Sequence, residues 1–375
     1  MLQVEGWRGI SHSYALVNQF QMLHWSQSDD VLVEHKDVPF FMPHWSVTNN
    51  SAGFNSQDLA TINASNVYEP QAIYKIYAPF ELKAHPKLHT VTFGVTEFGF
   101  SNGAFTPYEL QQYQEAGGLI HTPSQWSKLR MVANGINENL IHVVPHGADE
   151  NYFNQLPQHI VEQQREALGY VEDDIILLNI GSHLWNKGLD ILIKSFSVAR
   201  KNNKKLKLLI KDQASTYNIS SNEFIQKTLI ELGDIEAINE GAIKVLSGNL
   251  SLHQLNLIYN LSDYYVTPYR AEGFNLPALE AAVVGTTVIA TKGGATDDFL
   301  DSFHHIELLG SLYENQKLNE KLVINSYIEP DLDCLISILS VVERAKKINF
   351  SKNFYSWSRS CASLNNILFD IKSGV

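Results

Sequence analysis

The chain has 375 residues, enough for about two domains of ordinary size with some chain left over. Its 28 Lys and Arg stand against 40 Asp and Glu, a formal net charge of −12. That balance argues against a general nucleic-acid binder and still allows one small phosphorylated ligand. A hydrophobic fraction of 44% and an aromatic fraction of 11% exclude a disordered chain. Two cysteines, Cys334 and Cys361, fit a reducing compartment better than a disulfide framework. No apolar run approaches 18 residues, and Met1 to Arg8 lacks the basic and apolar regions of a signal peptide. Together these features predict a cytoplasmic protein.

Taken in chain order, an apolar stretch at 2–4, a turn with Gly6, Arg8 and Gly9, and a helical pattern at 13–25 read as strand, glycine turn and helix. Residues 31–34 read as the next strand, and 37–66, rich in Pro, Asn and Ser, as loop. Strands are predicted at 72–77, 90–95, 118–122 and 141–145, with a helix at 126–134. Short apolar strands alternating with helices predict a parallel α/β sheet. The pattern breaks from 145 to 168, a polar, Gln-rich segment with Pro157 that reads as an inter-domain link. It then restarts, with strands at 175–180, 205–210, 243–246, 264–268 and 287–291. Helices are predicted at 190–201, 223–232, 252–260 and 276–284, and two more at 332–346 and 353–371 close the chain. The result is two α/β halves, residues 1–152 and 170–350, each opening on strand, glycine turn and helix.

Two segments carry chemistry. In P-Y-R-A-E-G-F-N-L-P-A-L-E, residues 268–280, Pro277 is placed for the first turn of a helix. Glu272 then lies in the preceding loop and Glu280 about one turn inside the helix. Residues 273–276 would offer backbone N–H groups at a positive helix end, which suits an anionic or hydroxyl-rich ligand. Carboxylates accept from sugar hydroxyls in two directions. The alternative is an ordinary loop carboxylate and a surface helix residue. In N-I-G-S-H-L-W-N-K-G-L-D, residues 179–190, Lys187 sits in a glycine-bearing turn at the carboxyl end of a strand, where open α/β sheets bind ligands. A single cation there suits a diphosphate, and the alternative is a surface loop lysine. The basic stretch 200–211 holds Arg200, Lys201, Lys204, Lys205, Lys207 and Lys211. It reads as a solvated helix end and loop, with contact to an anionic lipid surface as the other reading. Asp331 and Asp333, the D-x-D match, follow Pro330 at a predicted helix start and read as capping.

Combined with V-V-P-H-G-A-D-E-N-Y-F at 143–153, these segments closely resemble the family 4 retaining glycosyltransferases of the GT-B fold. E-G-F-N-L-P-A-L-E looks like that family's E-x7-E motif, and G-S-H-L-W-N-K-G-L-D-I-L-I like its glycine turn and phosphate-binding lysine. The resemblance is dense from about 118 to 298. It implies two Rossmann-like doubly wound domains facing across a cleft. An N-terminal acceptor domain would span 1–152 and a C-terminal donor domain 170–350. The last helix, within 353–375, would cross back to the first domain.

The reaction implied is transfer of a sugar, with retention, from a UDP- or GDP-linked donor to a hydroxyl of a saccharide, lipid-linked or protein acceptor. No metal or other cofactor and no nucleic acid are implied. By the same resemblance, Glu280 binds the ribose hydroxyls and Glu272 sits by the donor sugar. The backbone of Gly273, Phe274, Asn275 and Leu276 holds sugar and diphosphate, and Lys187 neutralises the leaving diphosphate. Gly9 approaches from the other domain, and residues 246–249, beginning at Leu246, contact the nucleobase. Many members carry an Arg directly after the glycine that here is Gly181; this chain has Ser182, followed by His183. Arg270 or Arg8 is then expected to share the charge with Lys187. Ser182 also keeps alive a catalytically silent sugar-nucleotide-binding or scaffolding protein of the same fold. Glu97, ahead of His12, His121 and Ser124, is the candidate for the acceptor side, with capping or ion pairing as the alternative. A dehydrogenase on the same sheet is disfavoured, because no G-x-G-x-x-G follows a candidate strand.

Overall fold

The computed structural model describes residues 1–28, 30–47, 51–64, 69–100, 104–213, 216, 219–317, 323–348 and 355–369. The chain divides into two compact units. One is Met1–Asp149 with Asn315–Asn325 and Lys352–Val375; the other is Glu150–Glu314 with Ser326–Ser351.

The first unit is built on β1 (Leu2–Gly6), β2 (Val33–Asp37), β3 (Ala72–Ile76), β4 (His89–Phe93), β5 (Leu119–Thr122) and β6 (Ile141–Val143). These form one parallel sheet in the order β2-β1-β3-β4-β5-β6. Its helices are α1 (Ser13–Ser26), α2 (Ser56–Ile62), α3 (Pro107–Glu115) and α4 (Gln125–Ala133). Two of them escaped the sequence pattern for the same reason: each buries little. α2 lies inside the segment 37–66 expected to be loop, and it buries Ile62 alone. α3 buries only Tyr113. Both announce themselves instead by their caps, Asn55 accepting from Asp58 N, and a Thr106–Glu109 capping box with Pro107 in the first turn.

The second unit opens on α5 (Gln158–Ala167), inside the segment expected to be a link. Its inward face is Val161 and a buried arginine, Arg165, whose guanidinium donates to Leu261 O, Asp263 Oδ2 and Asp174 O. A parallel sheet follows, made of β7 (Ile175–Ile180), β8 (Leu206–Lys211), β9 (Ile243–Leu246), β10 (Tyr264–Thr267), β11 (Thr287–Thr291) and β12 (His305–Leu308), ordered β12-β11-β10-β7-β8-β9. α6 (Leu189–Asn202), α7 (Ser221–Glu231), α8 (Ile235–Asn239), α9 (Leu252–Leu261), α10 (Leu276–Val284) and α11 (Asp297–Leu300) connect the strands. Leu177, Leu192, Phe196, Leu208, Val266 and Ile289 belong to its buried core, which explains the near-continuous apolar strands.

Three features beyond β12 differ from expectation. A two-stranded sheet, β13 (Gly310–Lys317) with β14 (Val323–Pro330), was not anticipated. α12 (Leu332–Val341) is shorter than 332–346, and Asp331 caps it by accepting from Cys334 N at 2.9 Å. Residues 342–348 run on without helix as a strap: Ile348 N donates to Gly285 O, and the half-buried Lys347 donates from Nζ to Tyr259 O, Ser262 O and Thr286 Oγ1. The C-terminal helix α13 (Trp357–Leu368) packs within the first unit. Trp357 stacks on Phe20 at 5.1 Å, and Trp25 Nε1 donates to Asn365 Oδ1. Residues 353, 354, 370 and 371 of the expected helix lie outside the described residues.

The basic stretch is laced with carboxylates. Arg200 pairs with Glu240, Lys204 with Glu236, Lys205 with Asp173 and Lys207 with Asp174, and Lys211 is buried with its ammonium on Asp212 O. Five of the six cations thus meet protein partners, in keeping with a solvated helix end and loop, and nothing here supports a lipid-facing patch. Among the described residues no helix is long and apolar enough to cross a membrane.

Candidate active site

The site grows from the carboxyl ends of β7 and β10, neighbours in the second sheet. After β7 the chain passes Gly181 and Ser182 into a single 3₁₀ turn, Trp185–Lys187. Gly188 then starts α6 at φ +68°. A Cβ there would stand 1.8 Å from Pro268 O, so glycine is what lets the turn lie against the chain leaving β10. That chain carries Arg270 and Glu272. Asn186 fastens the two segments: its carbonyl accepts from Arg270 N at 2.7 Å and its Nδ2 donates to Ala271 O at 3.2 Å.

The outcome is a close ion pair. Lys187 Nζ donates to Glu272 Oε1 at 2.9 Å and to Oε2 at 2.8 Å. Glu272 is nearly buried, and the lysine side chain keeps a quarter of its exposure.

The loop beyond Glu272 closes on Asn275, whose left-handed conformation (φ 73°) is one that Asn tolerates. Its side chain caps α10 by accepting from Ala278 N and is steadied by donating to Thr267 Oγ1 at 2.9 Å. Gly273, Phe274 and Leu276 are buried, and Phe274 packs on Phe299. The positive end of α10 therefore opens next to the ion pair, with Pro277 adding no unused donor. Glu280 lies on the next turn, where Tyr259 donates to its Oε2 at 2.6 Å. Burial pushes its carboxyl up from 4.5 to about 8 against that hydrogen bond.

The other expected residues divide. Ser182 is buried, and its hydroxyl makes no hydrogen bond among the described residues. Leu246 ends β9, half-buried, and leads into exposed Ser247, Gly248 and Asn249. Arg270 does not offer its charge to a ligand: all five of its N–H donors are taken by Asp190, Glu329 and Trp185 O. Arg8 is likewise held by Asp37 and Ile62 O.

Gly9 and Glu97 belong to the first unit. Gly9, at φ 77°, has Val47 where a Cβ would point, and its N–H donates to Gln19 Oε1. Glu97 is half-buried in the loop after β4, its carbonyl accepting from Trp126 Nε1. His12 and Ser124 are helix caps. His121 is buried between Tyr74 OH and Val144 O, both at 2.9 Å, and burial pushes its pKa down to about 4. Residues the sequence did not mark, Asn186, Asp190, Tyr259 and Glu329, touch the marked Arg270 and Glu280 from positions 21 to 84 residues away in the chain.

Residues 160–323 match the family described as glycosyl transferases group 1. Among curated proteins, the lipopolysaccharide 1,2-N-acetylglucosaminetransferase of Salmonella typhimurium is 26% identical over 244 residues, 64% of this chain and 58% of that protein. The mannosylfructose-phosphate synthase of Agrobacterium fabrum is 25% identical over 188 residues, 50% of this chain and 40% of that protein. The chain thus matches about half the length of these relatives. Among solved structures, a glycosyltransferase from Rickettsia africae ESF-5 aligns over 100% of this chain and 99% of its own with a TM-score of 0.64 at 15% identity. Residues 160–323, which hold Lys187, Glu272 and Glu280, are thus similar to the glycosyl transferases group 1, and the two parallel-sheet units have the GT-B architecture.

Proposed function

We propose that the protein is a retaining, metal-independent glycosyltransferase that moves a sugar from a nucleoside diphosphate to a hydroxyl of a saccharide, lipid-linked or protein acceptor. The observation that carries this reading is the Lys187–Glu272 pair at the positive end of α10, with Glu280 one turn inside. Such a group of charges suits a donor with an anionic and a hydroxyl-bearing part. Lys187 and the helix N–H groups would receive the diphosphate, while the Glu272 carboxylate and the carbonyl oxygen of the Glu280 carboxyl would accept from sugar and ribose hydroxyls. As the bond from the anomeric carbon to the β-phosphate oxygen breaks, charge gathers on that oxygen. Lys187 stabilises it where it develops. The acceptor oxygen bonds to the same face of the anomeric carbon, and its proton passes to the departing phosphate oxygen, so no separate side-chain base is needed.

The test is nucleoside diphosphate release from UDP-glucose, UDP-N-acetylglucosamine and GDP-mannose with mixed acceptors. Lys187→Ala is expected to lower turnover about 10²- to 10³-fold, the usual loss for one oriented donor. Glu280→Ala is expected to weaken nucleotide binding. Activity unchanged in both variants would sink the assignment. Ser182, in place of the arginine many relatives of this kind carry, favours the second reading, a silent sugar-nucleotide binder; nucleotide binding without release over every donor would support it.

A further inference from the structure

Arg270 is among the most constrained charges in the second unit, and it touches both halves of the candidate site. Nη1 and Nη2 grip Asp190 Oδ1 and Oδ2 at 2.8 Å each. Nε and Nη2 grip Glu329 at 2.7 and 2.8 Å, and Nη1 also donates to Trp185 O at 2.8 Å. The guanidinium stacks 4.9 Å above the Trp185 ring. Its own backbone closes the knot: Arg270 N donates to Asn186 O, and Arg270 O accepts from Ile328 N at 2.8 Å. One side chain therefore ties the turn before Lys187, the first turn of α6, the chain before Glu272 and strand β14.

We propose that Arg270 is a positioning residue for the Lys187–Glu272 pair, acting through Asp190, Glu329 and the Trp185 carbonyl rather than on the donor itself; this rests on the transferase reading above. Three physical points carry it. A planar fork of five donors satisfied by two carboxylates and a carbonyl fixes orientation in a way no lysine could. Trp185 and Asn186, the two residues before Lys187, are both anchored by Arg270, while Glu272 stands two residues after it. Finally, Asp190 lies three residues beyond Lys187, and the guanidinium occupies both of its oxygens, so this carboxylate does not compete for the lysine.

The experiment uses the full chain with Arg270→Gln and Arg270→Ala, and Glu329→Gln as a milder variant that leaves the Asp190 half of the clamp in place. Two measurements are made. The first is acetylation of Lys187 by acetic anhydride, read by mass spectrometry; it needs no activity. The second is diphosphate release from the three donors above.

Loss of the clamp is expected to raise Lys187 labelling several-fold and to lower kcat about 100-fold, the cost of a misplacement near 1 Å, with KM little changed. Glu329→Gln should move both in the same direction by less. Millimolar guanidinium ion should restore both in Arg270→Ala, which a merely structural loss would not allow. Unchanged labelling in folded Arg270→Gln, or in Glu329→Gln if the former does not fold, overturns the proposal, as does labelling that guanidinium leaves high. If the wild type releases no diphosphate from any donor, the transferase reading fails while the labelling still decides the clamp.

Discussion

Glu280 shows how one buried carboxyl makes stability depend on pH. Its folded pKa of about 8 lies above the usual 4.5 because burial disfavours the charge. Between those values the folded chain holds a proton that the unfolded chain releases. Stability contributed here is therefore complete below about pH 4.5 and falls as pH rises toward 8. Glu280→Gln keeps an oxygen for the Tyr259 hydroxyl and removes the titration. Its melting temperature should fall less than the wild type's between pH 5 and pH 8, so that the variant gains on the wild type at the alkaline end. Parallel curves for the two proteins across that range would contradict the assignment. Tyr259 itself was invisible in the sequence: nothing in a helix of ordinary composition marks the one hydroxyl that faces a carboxylate 21 residues on.

The connection from β7 to α6 depends on Gly188 for its shape. At φ +68°, with Pro268 O lying 1.8 Å from where a Cβ would stand, Gly188→Ala must both strain the backbone and push away the chain that carries Glu272. We expect destabilisation of about 3 kcal/mol or more, since conformational strain and overpacking add, together with loss of turnover. A denaturant titration with a midpoint within error of the wild type's would refute this.

Elements were legible where a short, near-continuous apolar run stands apart from the more polar or glycine-bearing chain around it. The strands Ile175–Ile180, Ile243–Leu246 and Thr287–Thr291 and the helix Leu276–Val284 agree with expectation to the residue; Asp174 and Gly181 bound the first strand, and Asn275 and Gly285 the helix. Helix α5 was hidden because its inward face is an arginine, satisfied by partners up to 98 residues away. Lys187, Glu272 and Glu280 stood out through local spacing. The role of Arg270 did not, because the carboxylates that hold it come from 59 and 80 residues away, and a loop arginine beside a carboxylate looks free to meet a phosphate until those partners are placed.

At the scale of the whole molecule, the charge of −12 acts on any anionic donor before a single contact is made. If the proposed donor site is right, a nucleoside diphosphate is repelled by this net charge at long range and attracted close to Lys187 and the end of α10. These two terms respond differently to salt. The long-range field is screened beyond about 10 Å at 0.1 M ionic strength, whereas a contact pair in a partly buried site, such as the one Lys187 makes with Glu272 at 2.8 to 2.9 Å, is screened much less. Added salt should therefore speed association, opposite to the usual behaviour of basic phosphate sites, where steering is lost. Stopped-flow tryptophan fluorescence with UDP or GDP should give an association rate about two- to threefold higher at 150 mM than at 20 mM sodium chloride, with the dissociation rate changed less. Lys187→Ala should shift the dissociation rate and leave the salt dependence of association nearly intact, since it changes the charge by only one unit in twelve. A rate that instead falls with salt in the wild type would mean that the local positive end, not the net charge, governs the approach, and that the acidic residues lie mostly away from the path of entry.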